Sequence, residues 1–311
     1  MSQDKPFGGV EVGRGSVNTW ECDQMGHMNV RFYVSRAMEG LAGLAAALGL
    51  SGAFRARAES TLIVKDHHVR FLREARAGAP LIMRAGVIAM DECEARLLQL
   101  LIHAQTGELA ASLQTVVAHA TAREERPFAW SDQTRERAAA LIIDVPDRAS
   151  PRSLSLVPPS GTASLAEADR LGLIPLAAGA FAARDCDAFG RVSAEHIIGR
   201  VADGVPNLAA ALGAPAGSRP ANLGGAVLEY RVAYATWPRA GDRFVVRSGL
   251  MGFDDRAQRL AHWVLDPETG APWATSEAVA VSLDLEARRV VPLSDATKAR
   301  LAERVTPGLS L

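Results

Sequence analysis

The chain has 311 residues, of which 48% are hydrophobic and 22% charged, a composition that suits a globular protein long enough for two domains. Its formal net charge of −1 argues against a nucleic-acid-binding surface, and no apolar run reaches the ~20 residues of a membrane span. The sequence begins without a signal peptide and has three cysteines without metal-ligand spacing, so we expect a cytoplasmic protein.

The first predicted elements are a strand and a long helix. A loose arm, residues 1–13, leads into a strand at 16–22. Apolar residues at helical spacing then predict a helix over 29–48, which ends at Gly49. The middle of this helix is rich in alanine and glycine, which indicates that it is packed closely on several sides.

Strands dominate the next part of the chain. Hydrophobic runs separated by turn residues predict four strands, at 61–72, 81–90, 95–104 and 109–120. Ser131 is placed to cap a helix that ends near residue 141. A proline-rich linker with a short helix around 165–171 follows and spans residues 146–176.

After this linker the pattern starts again. Asp23 and the hexapeptide that begins at Leu44 recur at Asp187 and Leu208, each 164 residues later. Three further signatures recur 163 residues later: Ala77-Gly78, Thr106-Gly107 and Ser131-Asp132. Such regular recurrence indicates an internal duplication, with a first unit at 1–145 and a second, diverged unit at 177–311.

Several chemically useful residues converge where the first strand meets the first helix. Asp23 precedes a glycine turn at Gly26, and His27 and Asn29 follow at the helix start. Free N–H groups there can stabilise a developing oxyanion, and an ionised carboxylate can act as base or nucleophile. These four residues are therefore our catalytic candidates for acyl transfer to water. A turn-forming role for the aspartate and a helix-capping role for the asparagine stay open.

These residues resemble the signature of hotdog-fold thioesterases of the 4-hydroxybenzoyl-CoA type: an aspartate, a turn ending in glycine, and often His-x-Asn before a central helix. Tyr33 stands at the family's usual aromatic position. The resemblance implies an α+β fold of two tandem hotdog units, each an antiparallel sheet wrapped around a central helix, paired as an internal pseudo-dimer.

The resemblance also implies a function, the hydrolysis of an acyl-CoA to a free acid and coenzyme A with no metal or prosthetic group. Two alternatives stay open: a non-catalytic acyl-CoA-binding or sensor protein and, with less support, an enoyl-CoA hydratase. Whether double-unit chains form a homodimer is open too.

The second copy of the motif differs from the first. It keeps Asp187 and Gly190 but has Arg191 in the place of His27. An arginine beside the aspartate predicts a salt bridge, so we expect a weakened or purely structural second site.

Three arginines suggest a further binding site, whereas a pair of adjacent histidines does not. Arg70, Arg73 and Arg76 are candidates for the phosphates of coenzyme A, because guanidinium groups match phosphate geometry; a solvated surface is the alternative for each of them. His67 and His68 are adjacent on a predicted strand, so their side chains point apart and predict no metal site.

Overall fold

The computed structural model describes residues 7–159, 161–212 and 222–311. Its contacts divide the chain into two compact units, one ending at Ser150 and the other running from Pro151 to Leu311. Each unit is an antiparallel sheet with a long helix packed on one face, so the predicted tandem α+β fold is confirmed. Within the described ranges, no helix is long and apolar enough to cross a membrane.

The first unit contains five strands and two α-helices among its described residues. They are β1 (Val10–Ser16), α1 (Val30–Ala47), β2 (Ser60–Phe71), β3 (Pro80–Met90), β4 (Glu94–His103), β5 (Leu109–Thr121) and α2 (Asp132–Ala139). The strands lie in the order β1-β3-β4-β5-β2, and every neighbouring pair is antiparallel. The four long strands and both helices are therefore confirmed, with small shifts at their ends.

The start of the chain was predicted wrongly. Residues 1–6 lie outside the described part, but β1 begins at Val10, inside the expected arm of residues 1–13, and ends at Ser16. It pairs with β3 from Val10↔Ala85 to Ser16↔Pro80. Glycines obscure its alternating pattern. The expected strand at 16–22 contains a 3-10 turn at 19–21 instead, because the Glu21 carboxylate accepts the N–H of Asn18 (2.6 Å) and closes a turn.

The helix α1 packs tightly against β1, as its small residues predict. A Cβ at Gly43 would lie 2.8 Å from the carbonyl oxygen of Val12, so any larger residue would push the strand away. From the sheet below, the side-chain amide of Gln99 donates to the carbonyl of Ala37. The helix is thus held between an edge strand and the sheet.

The second unit repeats this arrangement. Its described elements are α3 (Leu165–Arg170), β6 (Ile174–Ala180), α4 (Ala194–Ala211), β7 (Leu223–Tyr234), β8 (Arg243–Phe253), β9 (Ala257–Leu265), β10 (Pro272–Asp284), β11 (Arg289–Val291) and α5 (Asp295–Ala302). The strand order is β7-β10-β9-β8-β6, with β11 paired to β10.

The duplication extends to element boundaries. The ends of α1 recur 164 residues later in α4, whereas those of β2 recur 163 residues later in β7. One residue has therefore been gained or lost between the helix and the strand that follows it. Gly213, the last residue of the repeated hexapeptide, lies outside the described residues.

Candidate active site

A tight turn brings Asp23 to the start of α1. The N–H of Gly26 donates to the Asp23 carbonyl (3.0 Å), and the N–H of Asp23 donates to the His27 carbonyl (2.8 Å). Gly26 has a φ of +77°, a left-handed conformation that strains residues with a side chain. Gly26 therefore shapes the turn that presents the carboxylate.

The two oxygens of the Asp23 carboxylate have different surroundings. Oδ1 accepts the N–H groups of Met25 (2.8 Å) and His27 (3.3 Å), so the turn-forming role that the sequence left open is observed. Oδ2 accepts no hydrogen bond from any residue in the described part of the chain. The side chain is thus oriented through Oδ1, and Oδ2 is not held by any described residue.

The expected oxyanion donors are not available. All four backbone N–H groups of residues 26–29 already donate within the chain. In chain order, their acceptors are the Asp23 carbonyl, the Asp23 carboxylate, the Ala75 carbonyl and the Glu21 carbonyl. The prediction that these N–H groups stabilise an oxyanion is therefore wrong. The N–H of Val30, the first residue of α1, makes no hydrogen bond to the described residues.

Asn29 is the N-cap of α1. Its side-chain oxygen accepts the N–H of Arg31 (3.1 Å), so the helix-capping interpretation is confirmed. This contact uses the side-chain oxygen, and the amide NH₂ donates no hydrogen bond to the described residues.

A partly buried ion pair between Glu21 and Arg36 fixes the segment before Asp23. The carboxylate of Glu21 accepts from the guanidinium of Arg36 on α1 (2.8 Å), and the Glu21 carbonyl accepts the N–H of Asn29 (2.8 Å). Glu21 is 6% exposed. These contacts fix the segment that precedes Asp23 against the helix.

A second carboxylate, which the sequence did not reveal, lies beside His27. The Nε2 atom of His27 is 3.3 Å from a carboxylate oxygen of Glu74, and Arg76 is 3.5 Å from the same oxygen. Glu74 lies in the loop between β2 and β3, which the pairing of His27 with Arg76 holds next to the turn. No motif marks this glutamate, because only the fold brings it within reach.

Tyr33 lies close to both carboxylates. Burial raises the pKa of Tyr33 well above its ordinary value, a hydrogen bond with the Ala75 backbone opposes this, and the negative charges of Glu74 and Asp23 raise it further. Its ring packs edge-on against Phe71 at 5.0 Å. Tyr33 therefore stays neutral and can donate a hydrogen bond near Asp23.

The three arginines do not form one group. The guanidinium of Arg70 donates to the carbonyl of Ser150 (2.6 Å) and so anchors the segment at the end of the first unit. The side chains of Arg73 and Arg76 are exposed, by 65% and 54%, in ion pairs with Glu108 and Glu74. Only these two are placed in the loop beside His27.

In the second unit, the corresponding turn has both aspartate oxygens occupied. Oδ1 of Asp187 accepts the N–H groups of Phe189 (2.8 Å) and Arg191 (3.0 Å), as in the first copy, and Gly190 has a φ of +79°. The side chain of Arg191 contacts Oδ2 through Nε (3.0 Å) and a terminal nitrogen (2.9 Å). The ion pair that the sequence predicted is therefore present.

The second unit keeps the ion pair that fixes the segment before the aspartate but has no counterpart of the His27–Glu74 contact. Asp185 and Arg200 form an ion pair (2.7 Å) at the positions of Glu21 and Arg36. Trp237 occupies the position of Glu74, 163 residues on. The ion pair is thus duplicated, whereas the polar groups around Asp23 and Asp187 differ between the copies.

The adjacent histidines of β2 lie on opposite faces of the sheet. His67 is opposite Thr115 and His68 is opposite Gln114 on β5. Burial lowers the pKa of His67 to about 3. Among the described residues, no group of three or more His, Cys, Asp or Glu side chains is arranged to hold a metal ion.

Comparisons with known proteins agree with the duplicated architecture. A family model for the thioesterase-like superfamily matches residues 17–138 and again residues 181–301. A comparison with curated protein sequences gave no match.

Similar solved structures include a protein from Lactobacillus plantarum provisionally named an oleoyl thioesterase, with a TM-score of 0.66 and 13% identity over 87% of this chain and 94% of that one. The 12:0-ACP thioesterase of Umbellularia californica has a TM-score of 0.63 and 14% identity, over 87% and 93% of the two chains. An acyl-ACP thioesterase from Bacteroides thetaiotaomicron has a TM-score of 0.61 and 14% identity, over 86% and 96%. At this level of identity, the likeness concerns the fold.

Proposed function

The chain belongs to the thioesterase-like superfamily, and from this premise we propose that its first unit hydrolyses an acyl thioester to a free acid and a thiol. The observation that carries the proposal is the difference between the two oxygens of Asp23. Oδ1 is held by two backbone N–H groups, and Oδ2 has no partner among the described residues. A carboxylate that is fixed in orientation but open at one oxygen suits a base or a nucleophile.

In the first step, Oδ2 of Asp23 takes a proton from a water molecule as the water oxygen attacks the thioester carbonyl. Direct attack by Oδ2, followed by hydrolysis of the resulting anhydride, gives the same products. The N–H of Val30 and the positive end of the α1 dipole stabilise the oxyanion that develops in either route. The side-chain NH₂ of Asn29 is a second donor at the same helix end.

In the second step, the carbon–sulfur bond breaks and the thiolate leaves. We assign its protonation to His27, which follows the glycine turn after Asp23 and whose Nε2 lies 3.3 Å from the Glu74 carboxylate. Glu74 orients the ring, and the neutral hydroxyl of Tyr33 completes the polar surroundings. The proton that Asp23 took from water returns to solvent, and His27 takes up a proton from solvent before the next turnover.

Coenzyme A is the carrier that we propose. Arg73 and Arg76 are exposed in the loop beside His27, where guanidinium groups can meet the phosphates of the coenzyme. Arg70 is the weakest of the three candidates, since its guanidinium already binds the Ser150 carbonyl.

The second copy is not part of the proposed chemistry. Arg191 occupies Oδ2 of Asp187, so neither oxygen of this carboxylate is open to a water molecule or a thioester. We assign it a structural role in the turn that precedes α4.

A thiol-release assay tests the proposal. The panel contains coenzyme A thioesters with short, branched, aromatic, hydroxylated and long acyl groups, each matched with the same acyl group on an acyl carrier protein. We expect turnover of at least one acyl-CoA. Measurable binding without turnover across the panel would favour a sensor protein, and turnover of carrier-protein substrates alone would overturn coenzyme A as the carrier.

A further inference from the structure

Trp20 is a large apolar side chain that is 77% exposed. It lies in the 3-10 turn at residues 19–21, three positions before Asp23. Exposed tryptophan is common where a protein binds a partner or ligand, since the indole offers a wide apolar face at little entropic cost.

The turn that carries Trp20 is rigid. Glu21, the next residue, accepts the N–H of Asn18 (2.6 Å) and the guanidinium of Arg36 (2.8 Å). The N–H of Cys22 donates to the Thr19 carbonyl (3.2 Å). The indole is thus presented from a fixed backbone, which limits the entropy lost when a ligand packs against it.

The second unit shows that this turn does not need a tryptophan. There, Arg184 occupies the position of Trp20, and its side chain is 86% exposed. The surrounding contacts are the same, with Asp185 accepting from the Ala182 N–H (2.9 Å) and from Arg200 (2.7 Å). The exposed indole is therefore specific to the copy whose aspartate is open.

Trp20 shares a hydrogen-bonded segment with the arginine-bearing loop. Val17, at the start of this segment, exchanges hydrogen bonds with Gly78 and Ala79, and His27, at its end, pairs with Arg76. The segment with the exposed indole and the loop with the exposed guanidinium groups of Arg73 and Arg76 are thus neighbours in the first unit. An aromatic face and guanidinium groups are the two partners that a nucleotide needs, for its base and for its phosphates.

We propose that Trp20 stacks on the adenine ring of the coenzyme A carrier, an inference that rests on the proposed thioesterase function and adds to it a determinant of carrier recognition. The indole then contributes to binding of the nucleotide half and not to the chemistry at the thioester. Its removal raises KM for substrates that contain the nucleotide and leaves kcat unchanged.

The test compares two substrates that share one acyl group, an acyl-CoA and the corresponding acyl-pantetheine, which lacks the nucleotide. With Trp20→Ala, we expect KM for the acyl-CoA to rise about 5- to 20-fold, the scale of losing one base–aromatic contact. KM for the acyl-pantetheine should stay within about twofold of the wild-type value. Trp20→Phe, which keeps a ring, should recover most of the loss, and Arg184→Ala is the matched control at the same position of the second unit.

Other outcomes would overturn the inference. An equal rise in KM for both substrates, or a fall in kcat, would mean that Trp20 supports the site and does not recognise the nucleotide. A loss confined to acyl-carrier-protein substrates would identify the indole as a protein contact. If Trp20→Ala fails to fold by thermal unfolding, Trp20→Gln provides the same comparison. Absence of wild-type hydrolysis would instead refute the proposed function itself.

Discussion

The two copies of the turn before the central helix share a backbone and differ in chemistry. In both, one oxygen of an aspartate accepts two backbone N–H groups, a glycine has positive φ, and a partly buried ion pair ties the segment to the helix. The second oxygen is open in Asp23 and bound to Arg191 in Asp187. The duplicated contacts are those that fold the turn, and the differing ones leave one carboxylate oxygen open in the first copy and occupied in the second.

Two differences between the copies belong together. His27 and Glu74 contact each other in the first unit, and the second unit has Arg191 and Trp237 at their positions. The carboxylate that would orient a histidine is absent where the histidine is absent. This joint change supports a functional pair in the first copy.

The largest difference in activity between the two copies is expected when each aspartate is replaced by asparagine. Asp23→Asn keeps the oxygen that accepts the backbone N–H groups but removes the base, so we expect kcat to fall by at least ~100-fold. Asp187→Asn should leave kcat within about twofold, because its outer oxygen is already bound to Arg191. Steady-state kinetics on both variants, with thermal unfolding as a check of folding, measures the difference. Equal losses would show two equivalent sites, and a larger loss from Asp187→Asn would place the site in the second unit.

A second variant transfers the arginine of the second copy to the matching position of the first copy and tests the role of Oδ2 of Asp23. In His27→Arg, the new guanidinium should bind Oδ2 of Asp23 as Arg191 binds Asp187, since the turns match in their backbone hydrogen bonds. We expect kcat to fall about 30- to 100-fold, close to the loss of a catalytic base.

The control for this variant is His27→Gln, which removes the histidine without supplying a cation. It should lose less activity than His27→Arg, and the gap between the two variants reports the blocked carboxylate. If His27→Arg keeps nearly full activity, Oδ2 of Asp23 is not the reacting atom.

The sequence predicted the parts of this comparison that depend on local pattern or repetition. Strand and helix periods, glycine turns and the recurrence at 164 and 163 residues are all visible in one chain, and the Asp187–Arg191 pair needs a separation of only four residues. These features predicted the duplicated fold and the diverged second copy.

The parts that were missed depend on contacts between distant segments. Glu74 reaches His27 only because Met28 hydrogen-bonds to Ala75 (2.8 Å) and holds the β2–β3 loop against the turn. Among the N–H groups of residues 26–29, that of Met28 donates to the distant carbonyl of Ala75, which a local pattern cannot reveal, whereas the other three donate to Asp23 and Glu21 nearby in the chain. For the same reason β1 was missed, because its pairing with β3 overrides a glycine-rich sequence of weak strand propensity.

A third prediction concerns the sheet beneath each helix. His262 on β9 occupies the position of Gln99 on β4, and burial lowers the pKa of His262 to about 4. Its folded-state pKa is therefore below the unfolded value of ~6.5, so stability is complete above pH ~6.5 and is lost as the pH falls towards 4. This one group should cost about 2 kcal/mol between pH 7 and pH 5.

The variant His262→Gln, which restores the residue of the first copy, should remove that part of the acid sensitivity. Urea unfolding at pH 7 and pH 5 gives the change in unfolding free energy for each protein, and the comparison uses this change, not the absolute stability. His67, whose pKa is also lowered by burial, stays in the variant and maintains some acid loss. An unchanged difference between pH 7 and pH 5 would mean that His262 is not protonated on unfolding over this range.

The smallest effect is expected at the exposed arginines of the first unit. Arg73 and Arg76 form ion pairs with exposed or half-buried partners, and such pairs add little stability, so their loss should not unfold the protein. If they bind the coenzyme phosphates, Arg73→Glu and Arg76→Glu should each raise KM for an acyl-CoA about 3- to 10-fold with a smaller change in kcat.

Arg256→Glu, at an exposed arginine between β8 and β9 of the second unit, is the matched charge reversal. Since exposed charges are screened by salt, the rise in KM should shrink between low and physiological ionic strength. Equal KM values for the wild type and for all three variants would place the phosphates elsewhere, and a fall in kcat for Arg76→Glu alone would mean that it acts through Glu74 on His27.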